Sequence, residues 1–532
     1  MTTTLFLGAI VILASIMIQK IASRLKVPML LGFIGLGMIF GSEGLFSIPF
    51  DDFAFAEQIC TVGLVVIMFY GGFGTSWKRA KKVAFPSALL ASIGVVSTAL
   101  LTALFCHYAL HILWIESLLI GALLSSTDAA SVFNILRSQN LALKNHTDSL
   151  LEIESGSNDP FAYMLVLICL TLSKQPFEIG SILLLLIQQI GVGFIVGVAI
   201  YIIARTFIKL WHFDIAGFNA VYVLAVGFLS YSITMLLEGN GFLACYITGL
   251  MLGNSNLRAK KELVHFFDGL TTLMQMLIFF LLGLLSFPSQ LWVNLPLAGF
   301  VFLFLTLLAR PISVFTILSC FKNYSFAQKT LISFAGLRGV ASIVFAIMAT
   351  LHETVFHYDL YHIVFGVVLF SIAIQGTLLP YVAKLLKMSD LEHTILQTFS
   401  DYSEQTDLRF IQVRLHKDSH WINRTLESFA LPQNLIIALV IRNGRSFIPN
   451  KDTLLVKNDI LILAGEAYEP SESSLEEETI GKRDPRLNKR LEELHGQIPS
   501  ILCIKRKDDF FIPTKDTLLL ENDTFVYYKA KK

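Results

Sequence analysis

Glu154-Ser155-Gly156-Ser157-Asn158-Asp159-Pro160 stands inside an otherwise apolar run, residues 149–172. A run of about 20 mostly apolar residues crosses a bilayer as a helix. A carboxylate within one costs roughly 2.5–3.5 kcal/mol on insertion scales unless it is paired or faces water. A second run, 113–136, carries Ser125-Ser126-Thr127-Asp128-Ala129-Ala130-Ser131, and a third, 327–350, carries Ala335-Gly336-Leu337-Arg338-Gly339-Val340-Ala341-Ser342. Such small and hydroxyl-bearing residues compete for backbone hydrogen bonds and weaken a helix. The three stretches predict an all-α polytopic membrane protein whose interrupted helices surround a charged centre.

Thirteen apolar runs can be read along the first 390 residues: 3–20, 28–46, 57–75, 84–110, 113–136, 149–172, 178–205, 216–236, 238–254, 266–287, 291–320, 327–350 and 361–387. Lys and Arg collect on the cytoplasmic side of short loops. Alternate connections hold Lys20/Arg24/Lys26, Lys78/Arg79/Lys81/Lys82, Arg137/Lys144, Arg205/Lys209, Arg258/Lys260/Lys261, Lys322/Lys329 and Lys384/Lys387, while the others hold only Lys174. This alternation puts the N-terminus outside and the C-terminal region inside. Met1–Thr4 lacks the basic stretch of a cleaved signal, so the first run is expected to be retained. With 54% hydrophobic residues, 15% charged and a net charge of +1, the chain is too apolar for a soluble protein and has no basic surplus for nucleic acid. The six cysteines have no metal-binding spacing.

If the seventh run is a linker, runs 1–6 and 8–13 form two halves that start on opposite faces, an inverted repeat. The interrupted fifth and twelfth runs then occupy matching positions, which in transporters marks a midplane site. On the sixth run, Glu154 and Asn158 lie i,i+4, as do Ser155 and Asp159, so these four share one broad face. A carboxylate flanked by hydroxyl and amide oxygens suits a hard monovalent cation. Glu154 admits two readings, a transport role or a salt bridge to Arg338 that holds the crossed helices. Arg310, beside Pro311, either serves the path or snorkels to the cytoplasmic face.

Thr127-Asp128, Glu154 to Pro160 and Gly336-Leu337-Arg338-Gly339 together resemble the monovalent cation:proton antiporter family, in its bacterial NhaP-type branch. The resemblance covers residues 1–390. It implies a homodimer whose core domain moves as an elevator against a dimerisation domain. It implies that Asp159 binds either cation or proton, that Ser155, Asp128 and the Thr127 backbone line the site with Asn158, and that Glu154 and Arg338 form a stabilising pair. Asn158, where electrogenic relatives carry a second Asp, implies electroneutral exchange of potassium or sodium for a proton in a bacterial inner membrane. No cofactor is expected. A cation channel gated by the tail is the competing class; it would need a continuous pore.

After residue 390 the composition turns polar. Residues 391–407 read as a linker and 408–466 resemble a TrkA-C regulatory domain, with Asn443-Gly444 as a hairpin turn and a small-molecule regulator as its implied partner. Phe447-Ile448-Pro449-x-Lys451-Asp452-Thr453-Leu454-Leu455 returns as Phe511-Ile512-Pro513-x-Lys515-Asp516-Thr517-Leu518-Leu519. Residues 498–532 are therefore expected to repeat part of the domain, after an acidic and helical linker over 467–497. His352-Glu353-Thr354-Val355-Phe356-His357 imitates a zinc-protease motif, but at i,i+5 the imidazoles diverge around a helix. No enzyme is expected.

Overall fold

The computed structural model describes residues 13–18, 20, 28–138, 141–174, 179–210, 216–255, 257, 260–352, 356–390, 408–415, 421–422, 424–426, 435–442, 445–457, 459–466, 473–481, 484, 486–487, 489–494, 501–506, 509–511, 517–520 and 523–530. Most of the first expected span, 3–20, lies outside them. The chain divides into two compact units, Met1–Glu404 and Gln405–Lys532.

The first unit is helical: α1 (Met29–Phe40), α2 (Phe53–Gly74), α3 (Ala84–Tyr108), α4 (Trp114–Leu123), α5 (Ala129–Ser138), α6 (Thr147–Lys174), α7 (Ile179–Leu210), α8 (Ala216–Leu236), α9 (Gly241–Gly253), α10 (Lys260–Leu284), α11 (Pro288–Ser319), α12 (Phe326–Phe334), α13 (Val340–Thr350) and α14 (Leu360–Leu385). Among the described residues seven segments are long and apolar enough to cross a membrane. The expected fifth and twelfth spans each appear as two short helices, α4 with α5 and α12 with α13. They break where the sequence turns small and polar. The sixth stays helical through Pro160. Pro160 has no N–H for the turn behind it, and Asn240 Nδ2 donates to its carbonyl at 2.9 Å.

Helix packing follows membrane logic, in which small residues let backbones approach. A Cβ on Gly37 of α1 would lie 2.1 Å from Phe280 O of α10, so those two helices meet backbone to backbone. A π-helical turn widens α3 at Leu90–Gly94 and α11 at Leu305–Ala309. Just beyond the two turns, Ser97 and Thr98 both donate to Ser313 Oγ, at 2.8 and 3.0 Å.

The second unit holds two four-stranded antiparallel sheets. β1 (Ala142–Leu143) and β2 (Ser389–Asp390) form a separate ladder in the membrane unit. One tail sheet contains β3 (Leu408–Arg414), β4 (Leu435–Arg442), β5 (Arg445–Phe447) and β6 (Ile460–Glu466), in the order β3-β6-β4-β5. The other contains β7 (Ser473–Thr479), β8 (Ile501–Arg506), β9 (Asp509–Phe511) and β10 (Thr524–Ala530), in the order β7-β10-β8-β9. Arg442 faces Arg445 across a two-residue connection, as the Asn443-Gly444 signal demands. The acidic stretch expected to be linker is instead the missing first strand: Ser473–Thr479 pairs with β10 along its whole length. Its three successive glutamates hid it, because an edge strand tolerates charge where a central one does not.

The duplication therefore runs through the whole module. Leu415, Val440, Leu455 and Leu461 form one core, and Ile480, Ile504, Leu519 and Phe525 form its counterpart. Arg442 forks onto both oxygens of Asp459 at 2.8 Å, and Arg506 onto Asp523 at 2.8 and 2.7 Å. Burial alone pushes Asp459 and Asp523 up, but the arginines and the Val456 and Leu520 amides hold both below the usual carboxylate range. Because these pKa values are depressed in the fold, the stabilisation is complete above the ordinary Asp value of about 3.9 and fades as pH falls below it. At pH 7, Asp459→Asn and Asp523→Asn should each speed proteolysis of the full-length protein within its own module and spare the other. Cleavage of both modules alike would contradict their independence.

Candidate functional site

The two broken helices meet at their unwound segments. Asp128 N–H donates to Leu337 O at 2.8 Å, so each break satisfies a backbone group of the other. Arg338, fully buried, donates through Nη1 to Ser125 O at 2.8 Å and also to Ser126 O, closing the carbonyls left open where α4 ends. Its own N–H donates to Ser371 Oγ at 3.0 Å, and Ser371 Oγ donates to Gln375 Oε1 at 2.7 Å. The Asp128 carboxylate receives the Ser131 N–H at 3.1 Å and the Ser131 hydroxyl, which caps the start of α5. A Cβ on Gly339 would fall 2.0 Å from Asp128 Oδ2, so this crossing is built around a missing side chain.

α6 passes beside the crossing. Ser155 Oγ donates to Thr127 O at 2.6 Å and Asn158 Nδ2 to Thr127 Oγ1 at 2.6 Å. Ser126 Oγ donates to Asp159 Oδ1. Thr127, Asp128, Ser155, Asn158 and Asp159, singled out from the sequence, are thus brought together. Ser126 joins them although nothing in the sequence set it apart from the hydroxyls beside it.

Glu154 does not form the direct ion pair expected with Arg338. Its partner is Arg310, and both are buried. The cause lies in α11: the π-helical turn ends at Ala309, and Arg310 opens the next helix beside Pro311. A Cβ on Gly336 would reach Arg310 Nε at 2.8 Å, so the guanidinium lies against the twelfth-span break. Arg310 therefore does not snorkel to the membrane surface. Arg338, released from the pairing, serves the carbonyls of the fifth-span break.

A cavity of about 100 Å³ opens on this group, and its lining includes Asp128, Ser155, Asp159, Glu152, Asp268 and Gln275. Asp268 accepts the Tyr70 hydroxyl at 3.1 Å, and Asn134 Nδ2 reaches Gln275 Oε1 at 3.3 Å. The α10 contribution escaped the sequence reading, yet its signal was present: Asp268, Thr271, Thr272 and Gln275 recur at i, i+3, i+4 and i+7, one stripe on an apolar helix. No group of three or more His, Cys, Asp or Glu side chains among the described residues could hold a metal ion. The lining offers four carboxylates, Asp128, Glu152, Asp159 and Asp268, together with hydroxyl and amide oxygens. That is chemistry for a partly dehydrated monovalent cation or for a proton, not for bond making.

Comparison with known proteins gives the same picture. The pattern of the sodium/hydrogen exchanger transmembrane family matches residues 9–385, and that of the TrkA-C domain matches residues 410–467. A potassium/proton antiporter NhaP2 of Shewanella sp. (strain MR-4) is 31% identical over 96% of this chain and 87% of its own length. A potassium/proton antiporter NhaP of Alkalimonas amylolytica is 32% identical over 89% of this chain and 83% of its own. A solved sodium proton antiporter, MjNhaP1 of Methanocaldococcus jannaschii, superposes with a TM-score of 0.63 at 26% identity, covering 73% of this chain and 99% of that one.

Removing one member of a buried ion pair leaves the other charge stranded, at a cost of about 3–5 kcal/mol. Arg310→Met should therefore lower the thermal unfolding midpoint in detergent markedly, and adding Glu154→Gln should recover most of the loss. An additive double variant would show that the pair carries no coupling.

Proposed function

Because the chain belongs to the sodium/hydrogen exchanger family, we propose that it exchanges a monovalent cation, potassium foremost, for a proton, with Asp159 as the single seat for which the two compete. The observation that carries this reading is the placement of Asp159: nearly inaccessible, on the wall of a cavity, beside hydroxyl and carbonyl oxygens at a crossing of two broken helices. An ionised carboxylate in that position bears a desolvation cost that either a proton or a cation removes. Asp159 then crosses only when neutralised, so empty return is suppressed and each cycle moves one cation against one proton. Asn158 in place of a second carboxylate keeps that count at one. Potassium is favoured over sodium because the relatives named as potassium/proton antiporters align through the tail, whereas a sodium/proton antiporter of Aphanothece halophytica aligns over 68% of this chain.

In the same reading the chain makes 13 crossings as an inverted repeat, and the π-helical turns of α3 and α11 fall at corresponding positions of the two halves. The basic loops face the cytoplasm, as does the tail, and two copies assemble in a bacterial inner membrane. The core carrying Asp128 and Asp159 slides against the scaffold that pairs the two copies. The TrkA-C module holds a small regulator.

In liposomes with an acid lumen and an entrapped pH dye, adding potassium outside should release lumenal protons. Sodium should do so more weakly, and Asp159→Asn should fall below a tenth of wild type. An Asp159→Asn variant that exchanges at the wild-type rate would overturn the assignment.

A further inference from the structure

The last described residues of the membrane unit form a joint. α14 ends at Leu385, and Lys387 takes a left-handed backbone with φ 55°. Met388 N–H then returns to Ala383 O at 2.9 Å and Lys387 N–H to Lys384 O at 3.0 Å. Glycine usually makes this turn, since its lack of a Cβ removes the penalty. The next two residues form β2, which pairs with β1: Leu143 opposite Ser389 and Ala142 opposite Asp390. Lys144 extends the joint, its N–H on Met388 O at 2.9 Å and its Nζ on Lys387 O at 3.2 Å. Leu141, Leu143 and Met388 are buried in one apolar cluster.

β1 belongs to the elbow between α5 and α6. Asn145 and His146, which complete that elbow, also sit at positive φ, 58° and 55°. Gln328 of α12 donates to Asn145 O at 3.2 Å and to Thr147 Oγ1 at 3.1 Å. One small knot therefore holds the starts of α6 and α12, the end of α5 and the exit of α14. Residues other than glycine keep a left-handed backbone only where their surroundings over-determine it. From Thr147, α6 runs as one helix to Asp159, a rise of about 18 Å.

We infer that this staple is a rigid lever by which the cytoplasmic tail acts on the ion site: the residues where the chain departs for the tail are locked to the elbow from which α5 and α6 lead to Asp128 and Asp159. A force that reaches residue 390 meets paired backbone rather than a free end. It turns the elbow, and with it the wall of the cavity. The inference rests on the exchange reading above, which wild-type exchange in the same liposomes tests separately.

The test is a double-mutant cycle in the full-length chain. Asp459→Asn perturbs the Arg442–Asp459 fork inside the first tail module. Asp390→Pro removes the N–H that the register sets against Ala142 and leaves the buried Leu143 and Met388 unchanged. With the staple intact, Asp459→Asn should change the exchange rate threefold or more; in the Asp390→Pro background that response should shrink below 1.5-fold. A second variant, Ala142→Cys/Asp390→Cys, places thiols at paired positions whose spacing in an antiparallel ladder suits a disulfide. Oxidising it should leave the exchange rate and the response to Asp459→Asn within 1.5-fold of the reduced protein. A tail response that survives Asp390→Pro, or that is absent from the intact protein, would overturn the lever. Loss of exchange on oxidation would also overturn it, since the two segments would then have to part during the cycle.

Discussion

The structure depends on one constraint: inside a membrane an unpaired backbone group or charge has no water to turn to. Two helices broken where they cross expose several such groups at once. They are tolerated because the breaks cross and satisfy each other, Asp128 N–H on Leu337 O and Arg338 on the carbonyls of Ser125 and Ser126. Gly339 permits the approach, and the capping of α5 by Asp128 holds it. Remove any of these and a buried polar group loses its partner, at about 1–3 kcal/mol each. The crossing is thus structural necessity and functional opportunity together, since it sets irregular backbone oxygens beside a carboxylate.

Charge is then distributed with economy. Arg310 answers Glu154, and the Asp128 carboxylate is held by the N–H and hydroxyl of Ser131 at the start of α5. Asp159 receives a hydrogen bond from the Ser126 hydroxyl. Among the described residues neither aspartate has a cationic partner; Asp128 is held by the cap of α5 and Asp159 by one hydroxyl. In the account proposed above, that difference separates a transported seat from a structural one. The tail carries two copies of one fold built on the same Arg–Asp fork.

Much of this was legible in the sequence for a physical reason: charge and small polar residues in apolar runs are expensive, so they stand out. Asp128, Asp159, Arg338 and the two interruptions were visible on that ground. The partner of Glu154 was not, because it depends on a π-helical turn that leaves no signature around Leu305–Ala309. Asp268 was overlooked since it lies near the end of a span, where an acid is unremarkable until the periodic stripe beneath it is counted. β7 was masked by its own glutamates, and only its register against β10 reveals it. The knot between residues 141–147 and 387–390 could not be read at all, being a contact between segments far apart in the chain.

The central claim is that one seat carries either one cation or one proton. The most direct measurement is the gradient of protons that just halts exchange against a fixed potassium gradient, taken at several imposed membrane voltages. The account predicts that net flux stops when the two concentration ratios are equal, whatever the voltage. A balance point that moves with voltage would contradict it, and the size of the shift would report the charge that each cycle carries.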